Sequence, residues 1–183
     1  TNEEWDKAWA SLNWKKGPSV VNYNQANSKI NIPSNFEILE GKEAHQVLYW
    51  INGVDFDYID VYAMGQNSEQ YMFDYTDSGY VKTDDWTDVD PDKFLKELIE
   101  NYKASNETRK KNGQSTVLNV SWKKKPYLDG IYNSVYYALD ITWSDNTSTV
   151  EGSAIILGRE GYTTAKYVGG NNGYQEQMLL NLS

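Results

Sequence analysis

The spacing of apolar positions changes several times along the chain, and each change marks an element. Trp5, Trp9 and Leu12 recur at helical spacing within residues 3–12, and Glu3, Glu4 and Asp6 suit the positive end of such a helix. Gly17-Pro18 breaks that pattern. Residues 19–23 and 29–32 predict two short strands about an Asn-rich turn, with Pro33 ending the second. Residues 41–52 carry Ala44, Val47, Leu48 and Ile51 on one helical face, and Gly53 supplies the stop. Residues 61–64 and 71–75 read as strands, and a turn at Asp77-Ser78-Gly79 leads into a further strand at 80–82.

The best-marked helix spans residues 91 to about 111. Asp90 is a natural N-cap, Pro91 fits the first helical position, and Lys110, Lys111 and Gly113 close the far end. Its stripe of Phe94, Leu95, Leu98, Ile99 and Tyr102 predicts a face largely buried on a sheet. The last third then shifts to a period of two. Leu118, Val120 and Trp122 alternate with polar residues, as do Leu139, Ile141 and Trp143. Residues 131–137, 153–157 and 163–168 read as further strands, 169–173 as a loop, and 174–182 as an apolar-faced helix. Runs of strands with isolated helices predict one α+β domain over residues 1–183: an antiparallel sheet flanked by helices.

Composition narrows what such a domain can do. A chain of 183 residues suffices for one ordinary core, and 14% aromatic residues supply large buried areas despite a mean hydropathy of -0.72. The formal net charge is -9, and residues 53–107 hold fourteen Asp and Glu against four Lys. Such an acidic surface repels phosphate backbones, which argues against nucleic acid as a partner. The absence of cysteine excludes disulfides, thiol catalysis and thiolate zinc sites. No apolar run approaches the ~18 residues that cross a membrane as a helix.

Candidate chemistry is sparse. Asp88-Val89-Asp90-Pro91-Asp92 begins like a calcium loop, but Lys93 stands where glycine is needed and Ile99 where the bidentate glutamate belongs. A looser calcium or magnesium site on Asp84, Asp85 and Asp88 is the alternative to a solvated turn and helix cap. His45 is the single histidine, with no second His or Cys to share a transition metal and no nucleophile elbow to serve. No catalytic residue, metal or cofactor is therefore assigned. The densest polar block is Asp74, Asp77, Ser78, Tyr80, Lys82, Asp84 and Asp85, and it is the candidate ligand-binding segment. Arg109 and Arg159 are the chain's two arginines. Their planar forks suit carboxylates, so each is either a clasp for the acidic block or part of the same site. Exposed rings with paired carboxylates would alternatively serve a glycan hydrolase.

The stretch Asp74-Tyr75-Thr76-Asp77-Ser78-Gly79-Tyr80-Val81-Lys82-Thr83-Asp84-Asp85 resembles the signature of a bacterial membrane-anchored family catalogued as domain of unknown function 2167. Trp14 with Gly17-Pro18, Ile32-Pro33, Asn106-Glu107-Thr108-Arg109 with Gly113, Trp122, Pro126-Tyr127 and Leu157-Gly158-Arg159-Glu160-Gly161 follow the same family in order. The resemblance implies an extracytoplasmic domain, in the periplasm or at the cell surface, anchored through a signal peptide and transmembrane helices outside this chain. Its partner would be a protein or another cell-envelope component. The family has no established activity, so no catalytic role is carried over. The element order also resembles the PsbP type of fold, which would set architecture alone.

Overall fold

A computed structural model describes residues 2–171, apart from the side chains of Asn2, Asp84 and Asp85. The helix expected at 174–182 lies outside the described residues, as does the end of the 169–173 loop. The chain opens with α1 (Asn2–Ala10), the two-residue β1 (Lys15–Lys16) and a hairpin of β2 (Ser19–Tyr23) and β3 (Ser28–Ile32). There follow β4 (Phe36–Glu40), α2 (Lys42–Asn52), β5 (Val61–Gly65), β6 (Gln70–Thr76), the short α3 (Asp84–Thr87) and α4 (Pro91–Lys111). Four long strands close the described residues: β7 (Val117–Asp129), β8 (Ser134–Trp143), β9 (Ser148–Leu157) and β10 (Tyr162–Gly169).

Eight strands make one antiparallel sheet in the order β1-β4-β5-β6-β10-β9-β8-β7, and β2 and β3 pair with each other. Both faces are covered. On one, the hairpin packs Val21, Tyr23, Ile30 and Ile32 against Phe36, Ile38, Tyr71 and Phe73. On the other, α2 seats Ala44, Val47 and Leu48 on Leu39, Tyr62 and Met72, while α4 lies over Leu139, Ile141 and Trp143. This is an α+β fold with helices gathered on one sheet face.

Local chemistry explains the boundaries. The Asp90 carboxylate accepts from the Asp92 and Lys93 backbone amides, and Pro91 occupies the first turn. Gly53 ends α2 at φ 69°, a left-handed turn that glycine adopts without strain. The carboxamide of Gln114 donates to the Asn52 carbonyl at 2.9 Å, which joins the far ends of α2 and α4.

Four expectations need correction. Residues 80–82 form no strand; they run irregularly into α3, and Tyr80 is 69% exposed. Residues 131–133 belong to the β7–β8 turn, where Ile131 is 88% exposed, because β8 begins only at Ser134. A register shift between Val117 and Asn119 breaks the alternation of β7, so Val117 is buried and Leu118 faces solvent. Phe94, Leu95, Leu98 and Ile99 do face the sheet, but all four stay partly exposed, because α4 rests on its outermost strands.

Candidate functional site

An open cavity of about 390 Å³ lies where the hairpin tip meets the end of the sheet. Three segments build it. The hairpin contributes Tyr23, Lys29 and Ile30; β6 contributes Phe73 and Tyr75; the β9–β10 turn brings Arg159 and Glu160 to the rim. The turn is tight. The Gly158 amide donates to the Gly161 carbonyl at 2.8 Å, and a Cβ on Gly161 would lie 2.0 Å from the Thr76 carbonyl oxygen. Only a residue without a side chain lets β10 close on β6 there.

The cavity wall is braced from below. Tyr23 donates its hydroxyl to the Asp60 carboxylate, whose same oxygen accepts the Tyr75 backbone amide at 3.1 Å. Burial first, and then the Asp60 carboxylate, push the Tyr23 hydroxyl far above its ordinary pKa, so it stays a donor. Partial burial and the nearby Asp77 and Glu160 charges raise Tyr75 in the same direction.

The residues singled out in the sequence fall into separate places. Asp77, Ser78 and Gly79 pass beside the β9–β10 turn, with the Gly79 amide bonded to the Glu160 carbonyl at 3.0 Å. Arg159 is exposed on the cavity rim. Tyr80 and Lys82 continue along that end of the sheet, both exposed. The side chains of Asp84 and Asp85 lie outside the described residues. Arg109 is remote from this group: its guanidinium stacks 4.6 Å over the Trp143 ring, a cation–π contact. Asp74 turns to the opposite, helix-covered face, opposite Thr164 of β10.

That second face holds a charge line invisible in the sequence. Lys166 pairs across the ladder with Met72 and Ser153, which places Asp74 and Glu151 on its two diagonals. Tyr102 of α4 donates to Glu151. Burial alone would lower the Lys166 pKa, but Glu151, Tyr137, Tyr58 and Asp74 outweigh it and hold the ammonium above its usual value. Burial raises Asp74 from 3.8 to about 6; Lys166 and Thr164 oppose the shift, and Asp60 adds to it. The folded state therefore binds the Asp74 proton more tightly than the unfolded chain does. Stability is fully present at low pH and is lost as pH rises towards and through 6. Asp74→Asn is expected to stabilise the fold at pH 8 by about 1–2 kcal/mol, allowing for the group's partial exposure, and to be neutral near pH 4. Urea unfolding at the two pH values checks this, and equal effects at both would contradict it.

Sequence reasoning missed Asp60, Lys166 and Glu151. Lys166 sits in an alternating strand where lysine reads as solvent-facing, and nothing in its neighbours signals otherwise.

The family model described as "Protein of unknown function (DUF2167)" matches residues 15–179. No curated protein matches the chain. Among solved structures, the chain is similar to cyanobacterial PsbP (CyanoP) from Synechocystis sp. PCC 6803. The likeness covers 94% of this chain and 89% of that one, at 14% identity and a TM-score of 0.46.

Proposed function

The chain belongs to the DUF2167 family, and from that premise we propose that it is the extracytoplasmic binding module of a membrane-anchored protein, holding a small envelope ligand in the cavity beside the hairpin. The observation that carries this reading is the cavity itself. Its volume of about 390 Å³ lies in the range of small-molecule sites, roughly 300–1,000 Å³. Its floor of Ile30, Phe73 and Ile156 is apolar, and a few polar groups converge on its mouth.

Membrane attachment is carried over from the family likeness and would run through segments outside this chain; among the described residues no helix is long and apolar enough to cross a membrane. A binding role without turnover suits the carboxylates. Lys166 stands between Asp74 and Glu151, so these two acids do not face each other across open space as a glycosidase pair does.

Filling the cavity tests the proposal. Ile156→Trp places a large ring on the floor, while the rest of the fold keeps its contacts. The wild-type protein is expected to retain small molecules from an envelope extract, seen by native mass spectrometry, and release them chemically unchanged. The Ile156→Trp protein should retain none. Chemical conversion of the bound molecules, or equal retention by both proteins, would sink the reading.

A further inference from the structure

We infer that the cavity holds a neutral sugar, one face of the ring lying on the apolar floor and its hydroxyls meeting those of Ser28, Tyr75 and Thr163. This deepens the reading of the cavity as the binding site and rests on it.

The register of the strands decides which side chains look into the cavity. Tyr75 of β6, Thr163 of β10 and Ile156 of β9 are direct partners across three adjacent strands, so their side chains stand in one row on the hairpin-covered face. From the hairpin, Tyr23 is paired with Ser28 and Val21 with Ile30, and these pairs face the sheet. Lys29 and its partner Asn22 lie between them and turn outward, both exposed. The side chains turned inward are therefore hydrocarbon, aromatic ring or hydroxyl, and none carries a charge. Burial and the Asp77 and Glu160 carboxylates raise the Tyr75 hydroxyl above its ordinary pKa, which keeps it neutral too.

Charge is confined to the rim, where both signs meet. Arg159 and Glu160 are neighbours on the β9–β10 turn, both exposed, and Asp77 lies near Tyr75. An ion drawn into the cavity would lose its hydration and find no opposite charge inside, which is costly. A purely apolar molecule fares poorly for another reason. Among the described residues, the hydroxyls of Ser28, Tyr75 and Thr163 have no hydrogen-bond partner in the protein. Hydrocarbon laid over them would remove their water and return nothing. Each hydroxyl both donates and accepts, so a ligand rich in hydroxyls satisfies all three. Gly161 keeps the Tyr75 hydroxyl uncovered, since a Cβ there would stand 2.8 Å from it. At the mouth the Glu160 carboxylate accepts and the Arg159 guanidinium donates, each through two parallel groups that match adjacent ring hydroxyls. Ile30, Phe73 and Ile156 supply the surface for the C–H face of the ring.

Chemical-shift titration with the methyl glycosides of glucose, galactose, mannose and N-acetylglucosamine provides the test. Each is compared with cyclohexylmethanol, and the best binder with its uronate and its amino-sugar counterpart, which place one charge on the same ring. The best neutral sugar should bind at least about tenfold more tightly than cyclohexylmethanol and than either charged counterpart. Ser28→Ala with Thr163→Val removes two hydroxyls and nearly keeps the side-chain outlines. Sugar affinity should then fall at least about tenfold, while cyclohexylmethanol binds as before or better. Tyr75→Phe, made singly, should weaken the sugar in the same direction, and thermal unfolding confirms that each variant is folded. If cyclohexylmethanol matches the best sugar, or a charged counterpart surpasses it, the assignment falls while the cavity remains a site. Unchanged sugar affinity in both variants overturns it as well. If no probe binds, the inference falls, and the reading beneath it falls too only when the wild-type and Ile156→Trp proteins retain envelope molecules equally.

Discussion

Tyr23→Ala is expected to destabilise the fold by about 3–5 kcal/mol, the loss typical of a large ring removed from a packed core. Tyr23 is 2% exposed, and it fastens the hairpin to the sheet in two ways. Its ring fills the space between β2 and the sheet, and its hydroxyl holds Asp60. Truncation leaves a cavity and removes one of two donors from a partly buried carboxylate. Tyr23→Phe separates the contributions, since it keeps the packing and loses the hydrogen bond; about 1–2 kcal/mol is expected. Urea titration of the three proteins reads both values. A Tyr23→Ala protein within about 1 kcal/mol of wild type would mean that the hairpin is held elsewhere.

The second large effect arises from a single methyl group. Gly161→Ala puts its Cβ 2.0 Å from the Thr76 carbonyl oxygen and 2.8 Å from the Tyr75 hydroxyl. The first of these is backbone in the middle of the sheet and cannot swing aside. The ends of β6 and β10 must part, breaking the Tyr162–Thr76 pairing, at a cost of about 3 kcal/mol. The same movement displaces Arg159, so ligand affinity should fall with stability. Gly79→Ala is the control for backbone strain without a clash, since its φ is 73° and a Cβ there meets nothing within 4 Å. It is expected to cost only about 1 kcal/mol. A Gly161→Ala protein as stable as wild type, by thermal or urea unfolding, would show that the turn is looser than its packing implies.

The legible parts of the fold are those where one local rule decides. Asp90-Pro91 opens α4 and the basic turn Arg109-Lys110-Lys111 ends it, so its limits follow from capping alone. Leu139, Ile141 and Trp143 alternate because β8 has one face under α4. The illegible parts are those where distant packing decides. In β4, Phe36, Ile38 and Leu39 are all buried because the hairpin covers one face and α2 the other, so no alternation marks the strand. Leu118 misleads because a bulge shifts the register. The site was half visible: Arg159 stands out by scarcity, and Asp77 and Ser78 by lying in a polar turn. Tyr23 and Ile30 reach the same cavity only because the hairpin folds back over the sheet, a long-range contact that no local pattern announces. The acidic segment looked like one block, yet β6 sends Asp74 to the helix-covered face while Asp77 leaves the sheet at its end. A strand that alternates faces divides any cluster read along it.

Amide chemical-shift mapping of the wild-type protein with the small molecules it retains from envelope extract tests most directly whether the cavity beside the hairpin is the binding site. The largest shifts are expected at residues 25–30, at Phe73 and Tyr75, and across 156–163, with α2 and α4 unmoved. Shifts centred instead on Tyr58, Tyr102 and Lys166, or spread evenly over the surface, would contradict it.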